Sequence, residues 1–339
     1  MTRAGRKDVR LIVLARMINR YIVLALCACL SACSFAPLTP LFLENTNSNS
    51  ASAKRAPVFL AHGASSGSEP LNSMAAIQAT LGNPHYDGIE VDLVLTGDSI
   101  PVLAHDPWIN EDSCRRKDGA PFEQVLIKDI AFDELTRVFE CRFLNAKNQT
   151  AAGGYHSLIS LSEAFDFAKD HPNKILYLDL KIQEKMTQSA FEYAAEIYHQ
   201  LIAAEISNPI FIEVPKSAHI HILESQFSDY KITKVLSYPA FYAGENWNKV
   251  GAWSALKTFV FPSRPLSTVT DAGADMLMSP TVVMSYSSIK KLHHERVLFG
   301  TFLVDTPKAF SIAIDHGADI IITDISPSHM PELSLKDKQ

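Results

Sequence analysis

The chain is short of cysteine: three of its five lie in the first 33 residues, and only Cys114 and Cys141 follow. Two thiols so placed are not expected to ligate a metal. No phosphate-loop lysine motif is present, and no Cys-x-x-Cys or tandem repeat, so nucleotide-dependent chemistry and a repeat architecture have no support. Serine-hydrolase chemistry is not expected either. Basic charge is also scarce. Lys and Arg number 31 against 37 Asp and Glu, a net charge of −6. Setting aside residues 1–33 leaves 25 basic and 36 acidic side chains, or −11. A nucleic-acid partner is therefore not expected.

What is present begins with an apolar run. Arg16 and Arg20 precede residues 21–30, which are too short to span a bilayer comfortably, and Leu30-Ser31-Ala32-Cys33 follows. This pattern reads as an export signal over residues 1–33. Leu-Ser-Ala-Cys resembles a bacterial lipobox, which makes Cys33 the expected lipidated residue. Ser34 after it favours the outer membrane of a Gram-negative cell, facing the periplasm. A plain secretory signal, an uncleaved anchor and a competing site at Cys29 remain open, as does Met17 as the start. Residues 34–55, rich in Ser, Asn, Ala and Pro, read as a flexible linker. In an exported chain Cys114 and Cys141 are expected to pair, closing a loop of about 28 residues with ~3 kcal/mol of stabilisation. Buried unpaired thiols are the alternative.

The densest chemistry lies between His62 and Asp106. Residues 58–62 read as a buried strand ending in His62, residues 88–95 as a second strand, and residues 100–105 as a return from a tight turn. Side chains two apart share a strand face, so Glu90 and Asp92 point together, away from Val91 and Leu93. A two-residue Gly97-Asp98 turn would pair positions summing to about 195, setting His105 across from Glu90 within one or two residues. Adjacent ionised carboxylates raise each other's pKa unless a cation compensates. Their oxygens suit a hard divalent ion, Ca²⁺ or Mg²⁺, whereas the imidazoles suit proton transfer near neutral pH. The same alternation fits a solvated strand face. His62, His105 and the Thr96-Gly97-Asp98 turn favour the functional reading.

His62-Gly63-Ala64, residues 70–76, 89–98, 101–107 and 317–324 together resemble the glycerophosphodiester phosphodiesterase family, over nearly all of the chain after residue 56. The resemblance implies a TIM (β/α)8-type barrel with a hairpin and loop insertion at its mouth. It implies hydrolysis of a small-molecule phosphodiester, such as a glycerophosphodiester or lysophospholipid relative, with His62 and His105 carrying protons. It further implies a divalent metal on Glu90, Asp92 and a carboxylate of a later strand. The matching place is Asp179, where the family has Glu. Lys181 shares the strand face of Asp179 and could neutralise a phosphate oxygen. By the same analogy, a neighbouring glycerol hydroxyl attacks first to give a cyclic phosphate.

Three departures stand out: Gly63 where the family has Arg after the histidine, Leu71 where it has Glu, and Phe302 where it has the Trp that lines the alcohol pocket. A retained reaction on an altered head group is expected. The other readings are a phospholipase D-like or cyclising enzyme on an intact lipid, and a phosphodiester-binding lipoprotein without turnover.

The rest of the chain fits one barrel over residues 56–335, with an insertion at about 108–157. Strands are expected to end near His62, Leu95 and Lys181, then to run over 210–213, 232–236, 275–278, 298–304 and 319–323, with helices between. A long helix is expected over 186–206, and another over 307–316 with proline at its start and glycine at its stop. Glu213 ends a strand and could face the pocket. His293-His294 reads as a helix end, and His219 and His221 have strand-like spacing without an acidic partner.

Overall fold

Aliphatic and β-branched runs supply the staves of a closed barrel. In chain order the strands are β1 (Val58–Ala61), β2 (Gly88–Leu95), β3 (Pro101–Leu103), β4 (Trp108–Ile109), β5 (Cys114–Arg116), β6 (Val125–Leu126) and β7 (Phe139–Cys141), followed by β8 (Ile175–Leu180), β9 (Ile210–Val214), β10 (Thr233–Ser237), β11 (Met276–Met278), β12 (Leu298–Thr301) and β13 (Ile320–Thr323). The helices are α1 (Met74–Leu81), α2 (Phe132–Val138), α3 (Leu161–Ala168), α4 (Ala190–Ala204), α5 (Ser217–Gln226), α6 (Trp247–Val260), α7 (Arg264–Ala272), α8 (Tyr286–His294) and α9 (Pro307–His316). The computed structural model describes residues 56–143, 154–245 and 247–327. The expected signal, Cys33 and the linker lie outside the described residues.

Strands β1, β2, β8, β9, β10, β11, β12 and β13 pair in parallel, and β1 joins both β13 and β2 to close the ring. This is a TIM barrel, as the sequence implies. Leu60, Tyr177, Phe211, Val235, Met276 and Ile320 pack inside the ring, so its lower end is filled and chemistry is confined to the C-terminal mouth. Outside, aliphatic faces of the strands meet Leu81, Phe165, Ile197, Leu201, Ile289 and Phe310 of the helices.

Local signals explain the helix bounds. Thr306 accepts from the Ala309 amide, Pro307 opens α9, and Gly317 closes it in the left-handed region at φ 86°. The helix expected over 186–206 starts later, at Ala190, because Ser189 and Glu192 form a capping box there. His219 and His221 lie on α5, not on a strand. The expected strand 298–304 stops at Thr301, and Leu303 adopts φ 60°.

The hairpin pairs Leu93 with Leu103 and Leu95 with Pro101, one residue from the expected register. Its turn spans three residues rather than two: the Thr96 amide donates to the Ile100 carbonyl and Ser99 has φ 64°. The insertion at the mouth holds two small antiparallel sheets, β4 with β6 and β5 with β7. Strands this short leave no periodicity to read. Cys114 is directly opposite Cys141 on β5 and β7, and a disulfide joins them.

Candidate active site

Three strands place the acids. In the parallel pairing of β2, β8 and β9, Asp92 is opposite Asp179 and Asp179 opposite Glu213, so one row of carboxylates crosses the barrel mouth. Glu90 stands two residues before Asp92 on the same face. Ligand oxygens of Glu90, Asp92 and Asp179 lie within 4.8 Å of one another. With bonds of about 2.4 Å, a Ca²⁺-sized ion spans such a set, and a hard divalent cation fits an all-carboxylate donor group. These residues therefore suit a metal.

Each acid is held in place. Glu90, nearly fully buried, accepts the Gly63 amide on Oε2 at 2.8 Å. Burial, and the Asp92 charge beside it, push the Glu90 carboxyl up to about 8, against the pull of His62 and Lys181. Asn72 grips Asp92 twice: its amide donates to Oδ2 at 2.7 Å, and its Oδ1 accepts the Asp92 backbone N–H at 3.1 Å. Burial alone would raise the Asp92 carboxyl, but the Lys181 ammonium and the two imidazoles hold it well below the usual range. Lys181 Nζ lies 2.7 Å from Asp92 Oδ1 and 2.5 Å from Asp179 Oδ2. Lys181 thus donates to Asp179, forms an ion pair with Asp92, and lines the cavity.

The histidines approach from either side. His62 opens the short turn His62–Ala64 after β1, and its Nδ1 lies 2.7 Å from Asp324 Oδ1, 262 residues away. Burial opposes the imidazolium, yet the Asp324 hydrogen bond and the Glu90 and Asp92 charges push His62 up to about 10. His105 follows β3; its Nδ1 meets Asp106 Oδ1 at 2.9 Å and its ring is about half exposed (47%). Both rings, Glu90, Asp92, Asp179, Glu213 and Lys181 line one cavity of about 260 Å³.

The opposite wall is apolar. Phe241, Tyr242, Phe302 and Leu303 line it together with Glu245, and the rings of Phe241 and Phe302 meet edge-on at 5.5 Å. Glu213, at the end of β9, does face the cavity, accepting from Tyr177 Oη at 2.6 Å and from Ser237 Oγ. Sequence reasoning named Glu90, Asp92, Asp179, Lys181, His62, His105 and Phe302, and all seven converge here. It gave no role to Asn72, Asp324, Phe241, Tyr242 or Glu245. The quoted 70–76 and 317–324 motifs already contained Asn72 and Asp324; the other three lie in a loop with no periodicity.

Two departures prove to be one. A Cβ on Gly63 would come within 2.8 Å of Leu71 Cβ, and Gly63 has φ +53°. The position that lost Arg and the position that lost Glu are therefore packed against each other. Among the lining residues Lys181 is the one permanent cation. Residues 63–67, Gly-Ala-Ser-Ser-Gly, do spell the nucleophile-elbow pattern. Ser65 is fully buried and its hydroxyl donates to the Glu69 carbonyl at 2.8 Å, so it is no exposed nucleophile. His293 closes α8 and binds Asp319 at 2.8 Å, away from the cavity.

A parallel barrel whose mouth gathers carboxylates, an ammonium and two imidazoles is the site of a phosphoric diester hydrolase. The chain belongs to the glycerophosphoryl diester phosphodiesterase family, whose family model matches residues 62–326. No curated protein sequence matches it. Among solved structures, a chain from Silicibacter pomeroyi superposes with a TM-score of 0.65 at 15% identity, covering 82% of this chain and 93% of that one. An Oleispira antarctica phosphodiesterase, in complex with the product sn-glycerol-3-phosphate, gives 0.59 at 17% identity over 82% and 96%. A glycerophosphodiester phosphodiesterase from Parabacteroides distasonis gives 0.54 at 18% over 83% and 98%. At these identities the likeness carries the fold.

Proposed function

We propose that the protein is a metal-dependent glycerophosphodiester phosphodiesterase with histidine acid-base catalysis. One observation carries this reading: three acids that could ligate a metal share a cavity with Lys181 and two imidazoles. Glu90, Asp92 and Asp179 would hold Ca²⁺ or Mg²⁺, which supplies charge neutralisation at the phosphate when bound. Lys181 offers an N–H to a phosphate oxygen. Asp324 fixes the His62 ring through Nδ1, leaving Nε2 for the reacting oxygens. His62 and His105 then exchange protons with the attacking hydroxyl and the leaving alcohol. When the attacker is the neighbouring glycerol hydroxyl, its O–P bond forms as the alcohol's P–O bond breaks. Water then opens the cyclic phosphate to glycerol phosphate.

The alcohol lies against Phe302 and Phe241 in this reading, the side of the cavity without fixed cations. A lipid anchor at Cys33, with residues 34–55 as tether, would hold the enzyme at the periplasmic face of the outer membrane. The purified protein is assayed on glycerophosphocholine, lysophosphatidylcholine and a chromogenic phosphodiester, with Ca²⁺, Mg²⁺ or chelator. Metal-dependent turnover that His62→Ala and His105→Ala each abolish is the expected result. Tight ligand binding without turnover would replace the enzyme with a binding protein.

A further inference from the structure

Helix α6 is built inside out. Among the described side chains of α6, Gly251, Ser254, Ala255 and Thr258 are the buried ones, and the helix rests on the turn Thr281–Val283. Its exposed stripe holds Trp253 (59% exposed), Leu256 (52%), Phe259 (66%) and Val260 (56%), and Phe261 (57%) continues it. At about 100° per residue these two sets fall on opposite faces, the reverse of a surface helix that turns its apolar stripe to the core. An exposed apolar cluster of this size marks an interaction site.

Charge narrows the partner. Residues 246–270 contain Lys249, Lys257 and Arg264 and no Asp or Glu, in a chain whose net charge is −6. Lys257 Nζ lies 5.4 Å from the Trp253 ring. Trp, Phe and Leu on one stripe with lysine at its border suit the boundary between phospholipid head groups and acyl chains. Two copies of this surface would bring like charges together, which disfavours self-association. A convex helix face also offers no groove for a peptide.

Position ties the stripe to the cavity. Helix α6 starts two residues after Glu245, which lines the cavity, and the turn beneath it follows the mouth end of β11. Leu303, 37% exposed, lines the cavity as well. We propose that α6 docks on an anionic phospholipid surface and seats the cavity mouth against it. This goes beyond the phosphodiesterase reading and is measured without turnover, so failure of either leaves the other standing.

The test uses the full chain with Cys33→Ser, so that no acyl anchor contributes, and vesicles of phosphatidylcholine with about one quarter phosphatidylglycerol. The protein should sediment with these vesicles, less so at high salt or with phosphatidylcholine alone. Leu256→Asp/Val260→Asp should lower the partition at least about tenfold, the N-terminal apolar run being common to both proteins. As a measurement that needs no folding-sensitive variant, brominated lipid should quench tryptophan fluorescence, and Trp253→Phe should remove most of that quenching. Equal partition of parent and double variant overturns the proposal. So does quenching that Trp253→Phe leaves intact, or a dimer without vesicles that the double variant dissociates.

Discussion

The two walls of the cavity are made differently. On the β2, β8 and β9 side, Asp92, Asp179 and Glu213 are tied to strands in fixed register, and Glu90, Asp92 and Glu213 each accept further hydrogen bonds. On the β10 and β12 side, Phe241, Tyr242, Glu245, Phe302 and Leu303 all lie past the strand ends, in loops. Groups that move charge need positions held to fractions of an ångström, which strands provide. Groups that only shape a pocket can sit on loops, where substitution is tolerated. The loss of the family's tryptophan at Phe302 falls on the second wall.

From that contrast, variants of the first wall should cost catalysis and variants of the second selectivity. Asp92→Asn, which removes a charge from the row, should lower kcat by about 10³-fold or more, checked by steady-state kinetics at saturating metal. Asn72→Ala leaves Asp92 Oδ2 without its donor; a loss of about 10–100-fold in metal affinity or kcat is expected, read by metal titration. Phe302→Ala should change KM and the ranking of alcohols a few-fold with kcat nearly constant, and an equal fall in kcat for all substrates would erase the distinction.

A separate effect is on stability. Burial, then the Asp179 charge, pushes Glu213 up to about 8, with partial relief from Ser237 and Tyr177. An unfolded Glu titrates near 4.5, so between these values the folded state binds more protons than the unfolded one. Its contribution therefore declines as pH rises from about 4.5 to about 8 and stays at its minimum above. Glu213→Gln should flatten that slope and raise stability at pH 9, by up to about 5 kcal/mol, measured by denaturation in chelator. An unchanged pH profile would show that Glu213 does not carry it.

Much of this was legible in the chain. The acids of β2 share a face by strand periodicity, and the hairpin register came within one residue. Pro307 and Gly317 bounded α9. What stayed hidden was contact between distant segments. Leu71 and Gly63 read as two separate losses until their packing made them one, and Asp324 had no visible link to His62. Gly63→Arg alone should then cost about 2–4 kcal/mol in denaturant melts, because it meets Leu71 at a left-handed backbone position.

By itself the sequence determined the alternation of strands and helices, the Glu90 and Asp92 pair, and the residue types available for catalysis, because periodicity and turn chemistry act over a few residues. The tertiary structure decided that Asp179 stands opposite Asp92, that Asn72 and Asp324 orient an acid and an imidazole, and that the apolar stripe of α6 faces outward. Those outcomes depend on which strands become neighbours, and long-range packing sets that.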